Sequence, residues 1–416
     1  MFKKHEPLSV YITIRFLSAL LFSVIVTVNL VYQATVVGLN PLQLVLVGTL
    51  LETITFLFEV PTGVIADMYS RKLSVMIGLF LIGLGFIVEG AFPAFGFVLF
   101  AQIIWGIGFT FVSGAREAWI ADEVGEKLAG TAFSKGSQMS VFGSFIGIVV
   151  SILLANINIR LPIILGGMFY SLQSVYLYFF MSERNFHATP VQERTTFQTM
   201  KSTFIQGVQL IKRHTVFLII VSTGLIFGMF SEGFDRLWTA FMVDNFTFPT
   251  AFHLKSVTWF GILAMVANVF SMLAIRFTEK RTDSNNHQST VKALLTVHSV
   301  LALSLLFFAA ANNFLLAAIG YWLVVMFRET RNPIYDALIN QNTQSQVRAT
   351  VFSLCSQANA IGQIAGGPIL GVIAAAVSLR ASMVLSGLIL IPTVFLYLQL
   401  IKKHTRVLPV GKQLQL

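Results

Sequence analysis

Between two long apolar runs the chain reads Glu59-Val60-Pro61-Thr62-Gly63-Val64-Ile65-Ala66-Asp67-Met68-Tyr69-Ser70-Arg71-Lys72. Gly63, Asp67, Arg71 and Lys72 put a glycine, an acid and two bases within a few residues. Between two membrane-spanning helices, such a segment is a charged turn on the water side. Its bases point to the cytoplasmic face, where Lys and Arg accumulate. The plainest reading is a positive turn that orients two helices, and the flanking sequence decides whether it is more.

The flanks are those of a membrane protein. Of the 416 residues 56% are hydrophobic and only 11% charged, too few to cover the surface of a soluble domain of this size. The apolar residues fall in blocks of about twenty or more, the length a helix needs to cross hydrocarbon. A net charge of +10 raises nucleic acid as a partner. The bases sit in short loops beside apolar spans, however, so the partner is the lipid bilayer. The lone Cys355 lies in an apolar segment and permits no intramolecular disulfide. Met1-Phe2-Lys3-Lys4 before an apolar run imitates a signal peptide, but without a cleavage site it reads as the start of an uncleaved first helix.

Hydropathy places twelve spans, near 9–36, 42–66, 73–92, 96–120, 131–155, 161–181, 215–243, 255–276, 291–310, 313–338, 348–377 and 380–401. Alternate connections hold the bases, among them Lys3, Lys4, Arg71, Lys72, Lys127, Lys135, Arg348, Lys402 and Lys403. The opposite loops hold only Arg160, Lys255 and Arg380. Both termini are therefore expected in the cytoplasm of a cell-membrane protein. The expected organisation is a first six-helix bundle over 1–181, a linker over 182–214, a second bundle over 215–401 and a tail over 402–416. In the linker Phe197, Met200, Phe204, Val208 and Ile211 recur at helical spacing, which suggests a helix lying on the membrane surface; a disordered linker is the alternative.

The halves resemble each other. A shift of 219 positions lays Thr131-Ala132-Phe133-Ser134 on Thr350-Val351-Phe352-Ser353, and Ser137-Gln138 on Ser356-Gln357. It also lays Gly143 and Gly147 on Gly362 and Gly366, and Glu117 on Asp336. The shared Gly-x-x-x-Gly lets helix backbones approach closely. A shift across an even number of spans makes this a parallel repeat about an axis along the membrane normal. The fold class is thus all-α, with twelve transmembrane helices in two six-helix bundles.

Six plus six helices, a long central loop and the stretch from Gly63 to Val75 resemble the major facilitator superfamily of secondary transporters, in particular its drug/proton antiporter-like exporters. Its signature, Gly-x-Leu-Ala-Asp-Arg-x-Gly-Arg-Lys-x-x-Leu, is matched at Gly63, Ala66, Asp67, Arg71 and Lys72. Met68 and Ser70 replace its first arginine and second glycine. The resemblance implies a conformational latch, with Asp67 at the helix that begins near Arg348 and Arg71 paired with Asp122. The fourth span carries a family-like Gly106-Ile107-Gly108, but Gln102 stands where many relatives have an arginine associated with proton transfer. The fifth has Gly143 and Gly147 without the proline of the antiporter signature. A fuller version, from Gly362 to Gly371 and including Gly366-Gly367-Pro368, lies in the eleventh.

Ionisable residues at membrane depth are functional candidates by default. They are Glu52 and Glu59, seven apart on one helix face; Arg15; Arg116 and Glu117; Glu232, Asp235 and Arg236; and Arg328, Glu329, Arg331 and Asp336. Glu52 lies about 22 Å along its helix from Asp67, which makes it the leading proton carrier with Asp235 second. Glu232 with Arg236 also reads as a structural pair, Arg15 as a snorkelling base, and Arg331 as a base at the membrane interface. Glu89 reads as a residue of the outer rim. No His-x-x-x-His pair and no Gly-x-Ser-x-Gly elbow marks an enzyme, and neither a metal, a cofactor nor a catalytic residue is expected. The expected activity is proton-coupled multidrug-type efflux of amphipathic small molecules by a monomer. Transport of one metabolite, such as a sugar, siderophore or peptide, is the alternative; Asn29, Gln33, Gln138, Gln357 and Asn359 offer polar contacts for it.

Overall fold

In lipid every backbone N–H and C=O must be satisfied within the chain, which makes helices of apolar sequence self-sufficient there. The computed structural model describes residues 6–186, 215–249, 254–283, 286–343 and 345–406. Among these it contains thirteen helices: α1 Pro7–Thr35, α2 Pro41–Met68, α3 Arg71–Ala91, α4 Phe95–Val112, α5 Ala115–Val124, α6 Glu126–Ile157, α7 Arg160–Phe180, α8 Thr215–Asn245, α9 Ser256–Arg281, α10 His287–Ala310, α11 Phe314–Asn342, α12 Ser345–Ala376 and α13 Leu379–Arg406. With α4 and α5 taken as one broken span, eleven segments are long and apolar enough to cross a membrane. The twelfth, α11, has the length but carries Arg328, Glu329 and Arg331.

Two expectations change locally. The stretch from Glu59 to Lys72 is mostly helix: α2 runs through Pro61 to Met68, and only Tyr69 and Ser70 form the turn before α3. The fourth span is not continuous to 120. It breaks after Val112, because Gly114 takes φ +74°, a left-handed conformation that glycine adopts without Cβ strain. The surface helix expected within 182–214 falls almost wholly outside the described residues, as does the tail beyond 406.

The chain forms two compact units. The first holds α1 to α7 with residues 235–245 of α8, 256–265 of α9 and 367–376 of α12. Within it α1 packs on α6, and α3 lies against α4 and α7. At the Arg160 end of this unit, Asn156 Nδ2 donates to Thr258 Oγ1 at 3.0 Å and Lys255 Nζ donates to the Asn156 carbonyl at 2.6 Å. The second unit holds residues 215–234, 266–281, α10, α11, 345–366 and most of α13. Its core gathers Ile220, Leu294, Leu338, Val351 and Tyr397.

The repeat is visible inside both units. A methyl group added at Gly143 or Gly147 would strike the carbonyls of Phe16 or Leu20 on α1. One added at Gly362 or Gly366 would strike those of Leu225 or Met229 on α8. Arg160 donates through Nε to the Gly90 carbonyl at 2.8 Å, and also to the Ala91 carbonyl, closing the end of α3. Arg380 donates to the carbonyls of Ala309 and Ala311 at 2.6 and 2.9 Å, closing the end of α10 in the same way. Cations favour such helix C-termini, where unpaired carbonyls collect.

Candidate functional site

At the Arg71 end of the first unit the charged turn is built into a collar. Ser70 caps α3, accepting from the Leu73 N–H at 2.9 Å, while its hydroxyl donates to Glu183 Oε2 at 2.5 Å. The other oxygen of Glu183 accepts the Lys72 N–H at 3.0 Å, so a carboxylate closes the positive end of the helix. Arg71 is ion-paired with Asp122 on α5 and lies 3.6 Å from Asp67. Lys72 Nζ donates to the Tyr178 carbonyl at 2.9 Å. Glu123, next to Asp122, accepts from the N–H groups of Arg184 and Asn185. Glu183 and Glu123 escaped the sequence reading because their partners lie more than fifty residues away. A methyl group added at Gly63 would meet nothing within 4 Å among the described residues.

A cavity of about 560 Å³ opens within the same unit. Leu79, Ile82, Trp105, Phe109, Tyr170 and Phe22 supply much of its wall, and Arg15, Arg116 and Glu117 its charges. The break at Gly114 redirects the chain so that α5 presents Arg116 and Glu117 opposite α1. There Glu117 Oε1 accepts from Arg15 at 3.3 Å and from Arg116 at 3.1 and 2.8 Å. Arg15 is thus bound to an acid rather than reaching for headgroups. Two guanidiniums against one carboxylate leave the cavity with an excess positive charge.

The other candidates are spread out. Glu52 is half-buried in α2 and Glu59 is exposed on it. Glu232 is buried in α8, Asp235 and Arg236 are half-buried, and Asp336 is exposed on α11. Pro368 sits half-buried inside α12. Arg331 is not an interface residue. It is buried with its guanidinium 4.1 Å from the Phe227 ring centre and 3.7 Å from that of Tyr335, so two aromatic faces replace water around the charge.

Glu89 is not a rim residue either. It is fully buried, with Gln33 Nε2 donating at 2.7 Å and Gln102 Nε2 at 3.1 Å to its two oxygens. Asn29 lies beside the same carboxyl. Asn29 and Gln33, which the sequence offers as substrate contacts, are thereby engaged with an acid. Gln102 also accepts from the Trp105 indole at 2.8 Å.

The Major Facilitator Superfamily profile matches residues 11–327, most of the chain. The uncharacterized MFS-type transporter YxaM of Bacillus subtilis is 27% identical over 358 residues, 86% of each protein. Multidrug resistance protein 2 of the same organism is 24% identical over 221 residues, 52% of this chain and 54% of that protein. Among solved structures, a variant of the nucleoside transporter NupG aligns with TM-score 0.76 at 13% identity, covering 95% of this chain and 99% of the other. A bacterial homologue of the human lysosomal transporter Spinster, in an inward-facing unoccupied conformation, aligns with TM-score 0.74 at 15% identity, covering 96% and 97%. Identities this low speak to the fold alone. The profile match, the twelve-span architecture and its internal repeat make this chain a transporter of the major facilitator superfamily.

Proposed function

We propose that this transporter exports amphipathic small molecules in exchange for protons, by alternating access in the cell membrane, as a monomer with both termini in the cytoplasm. The observation that carries the reading is the aromatic cavity with Arg15, Arg116 and Glu117 in its wall. An apolar body gains by leaving water against Trp105, Phe109 and Phe22. The partial likeness to a multidrug resistance protein supports export, and the bases of the Arg71 turn support the cytoplasmic assignment. In this reading Asp67, Arg71 and Asp122 form a latch that biases two arrangements separated by a few kcal/mol.

The excess guanidinium favours a further specification. A cationic drug would meet net repulsion, whereas an amphipath bearing a carboxylate or sulfonate would find a bidentate partner. Transport of one acidic metabolite is the second reading, favoured by the same charge. Proteoliposomes with an imposed pH gradient, given acidic, neutral and quaternary ammonium amphipaths beside acidic metabolites, test both. Gradient-driven movement of acidic amphipaths above cationic ones is expected. Movement of a single metabolite alone would select the second reading, and movement of none would reject both.

A further inference from the structure

Glu89 stands two residues before the end of α3, a position where a carboxylate ordinarily meets water. Counting eighteen residues from Arg71 to Glu89 at about 1.5 Å each puts it some 27 Å from the Arg71 end. Instead of water it meets an amide cage: Gln33 and Asn29 from α1, Gln102 from α4, with the Tyr32 hydroxyl donating to its backbone carbonyl at 2.7 Å. An unprotonated carboxyl buried among neutral donors is costly, because hydrogen bonds replace only part of its hydration. Two cations act on the cage from neighbouring elements. Arg160 of α7 is held on the Gly90 and Ala91 carbonyls, and Arg236 of α8 acts through charge.

The cage also suits the protonated form. An amide offers two N–H donors on one side and an oxygen on the other, and a half-turn exchanges them. With the carboxylate ionised, Gln33 and Gln102 donate to it, which leaves Gln33 Oε1 and Asn29 Oδ1 buried without a partner. With a proton on Glu89, either amide turns its idle oxygen to accept from the new O–H, and no existing acceptor bond is lost. A guanidinium in place of Gln102 would have donors only and would hold the carboxylate ionised.

We propose that Glu89, in its cage of Asn29, Gln33 and Gln102, is a proton-binding site of this transporter, loaded and emptied through the Arg160 end of the first unit. The proton passes from water to a carboxylate oxygen and back, and only that O–H bond is made or broken. Coupling this site to export rests on the reading above; the site itself does not.

The test is infrared difference spectroscopy of the full-length protein in lipid as pH is lowered across neutrality. A protonated-carboxyl C=O band should grow in, vanish in Glu89→Gln, shift in Glu89→Asp and be lost in Gln102→Arg. A spectrum identical in wild type and Glu89→Gln would overturn the proposal, as would a band governed by sodium rather than pH. The wild-type titration and the Asp variant keep the test valid if the Gln variant fails to fold. In vesicles with a one-unit pH gradient, one proton per substrate sustains a roughly tenfold accumulation, which should collapse to none in Glu89→Gln. A Glu89 band without gradient-driven transport would leave the site standing and reject the export reading. Transport with no such band would do the reverse.

Discussion

Arg71 and Asp122 show how little of a residue's importance here lies in fold stability. Their side chains remain partly exposed, at 18% and 30%, where an ion pair contributes only about 0–1 kcal/mol. Two conformations of a transporter differ by only a few kcal/mol, so the same small energy matters to the equilibrium between them. Asp122→Asn should therefore unfold within a degree or two of wild type in a detergent melt, yet transport several-fold more slowly in vesicles. Unchanged transport would remove the latch role. Ser70 explains one departure from the family signature: a serine where the motif has glycine supplies both an N-cap and a donor to Glu183. Position 70 reads as a defect in the motif and is a capping residue in the fold.

At the scale of the helix, the break between α4 and α5 delivers Arg116 and Glu117 to the cavity. A side chain at φ +74° crowds the following carbonyl, so Gly114→Ala should cost about 1–2 kcal/mol. The expected result is a lower melting temperature together with weakened binding of an acidic amphipath of the kind proposed above, measured by tryptophan quenching at Trp105. A variant that melts lower but binds unchanged would separate the kink from the site. Close packing sets a second limit. At Gly147 the obstacle is the backbone of α1, which has little room to move, so Gly147→Val should destabilise by about 1–3 kcal/mol or more in the same melt. Its repeat counterpart Gly366→Val should do likewise, because α12 meets α8 as closely as α6 meets α1.

Across the whole molecule, the duplication extends from sequence spacing to hydrogen bonding. Arg160 and Arg380 each bind the last carbonyls of a helix, α3 in one unit and α10 in the other. Charged hydrogen bonds of this kind contribute about 1.5–3 kcal/mol. Arg160→Ala and Arg380→Ala should lower the melting temperature by similar amounts, and the double variant should show the sum, since the two bind the carbonyls of different helices. A large effect at one position and none at the other would mean that the repeat is topological only. Arg331 breaks the pattern: under the 219-residue shift it falls on the uncharged Val112, and its cation packs against Phe227 and Tyr335 of the second unit.

Whatever depends on local spacing was legible in the chain itself. Twenty apolar residues span hydrocarbon wherever they occur, bases between spans mark a side, and Gly143 and Gly147 fall on one helix face by the helical period alone. The twelve spans, the repeat and the Arg71 turn follow from these. Burial at a helix end does not, since it depends on which other helices arrive there. Glu89 looks solvated from its place in α3, and only the approach of Gln33, fifty-six positions earlier, and of Gln102 makes it a buried acid. The break at Gly114 was equally hidden, because thirty glycines are permitted a left-handed φ and only packing selects Gly114, between α4 and α5, to take one there. Local chemistry determined which segments cross the membrane; long-range contact decided which of their charges are held out of water.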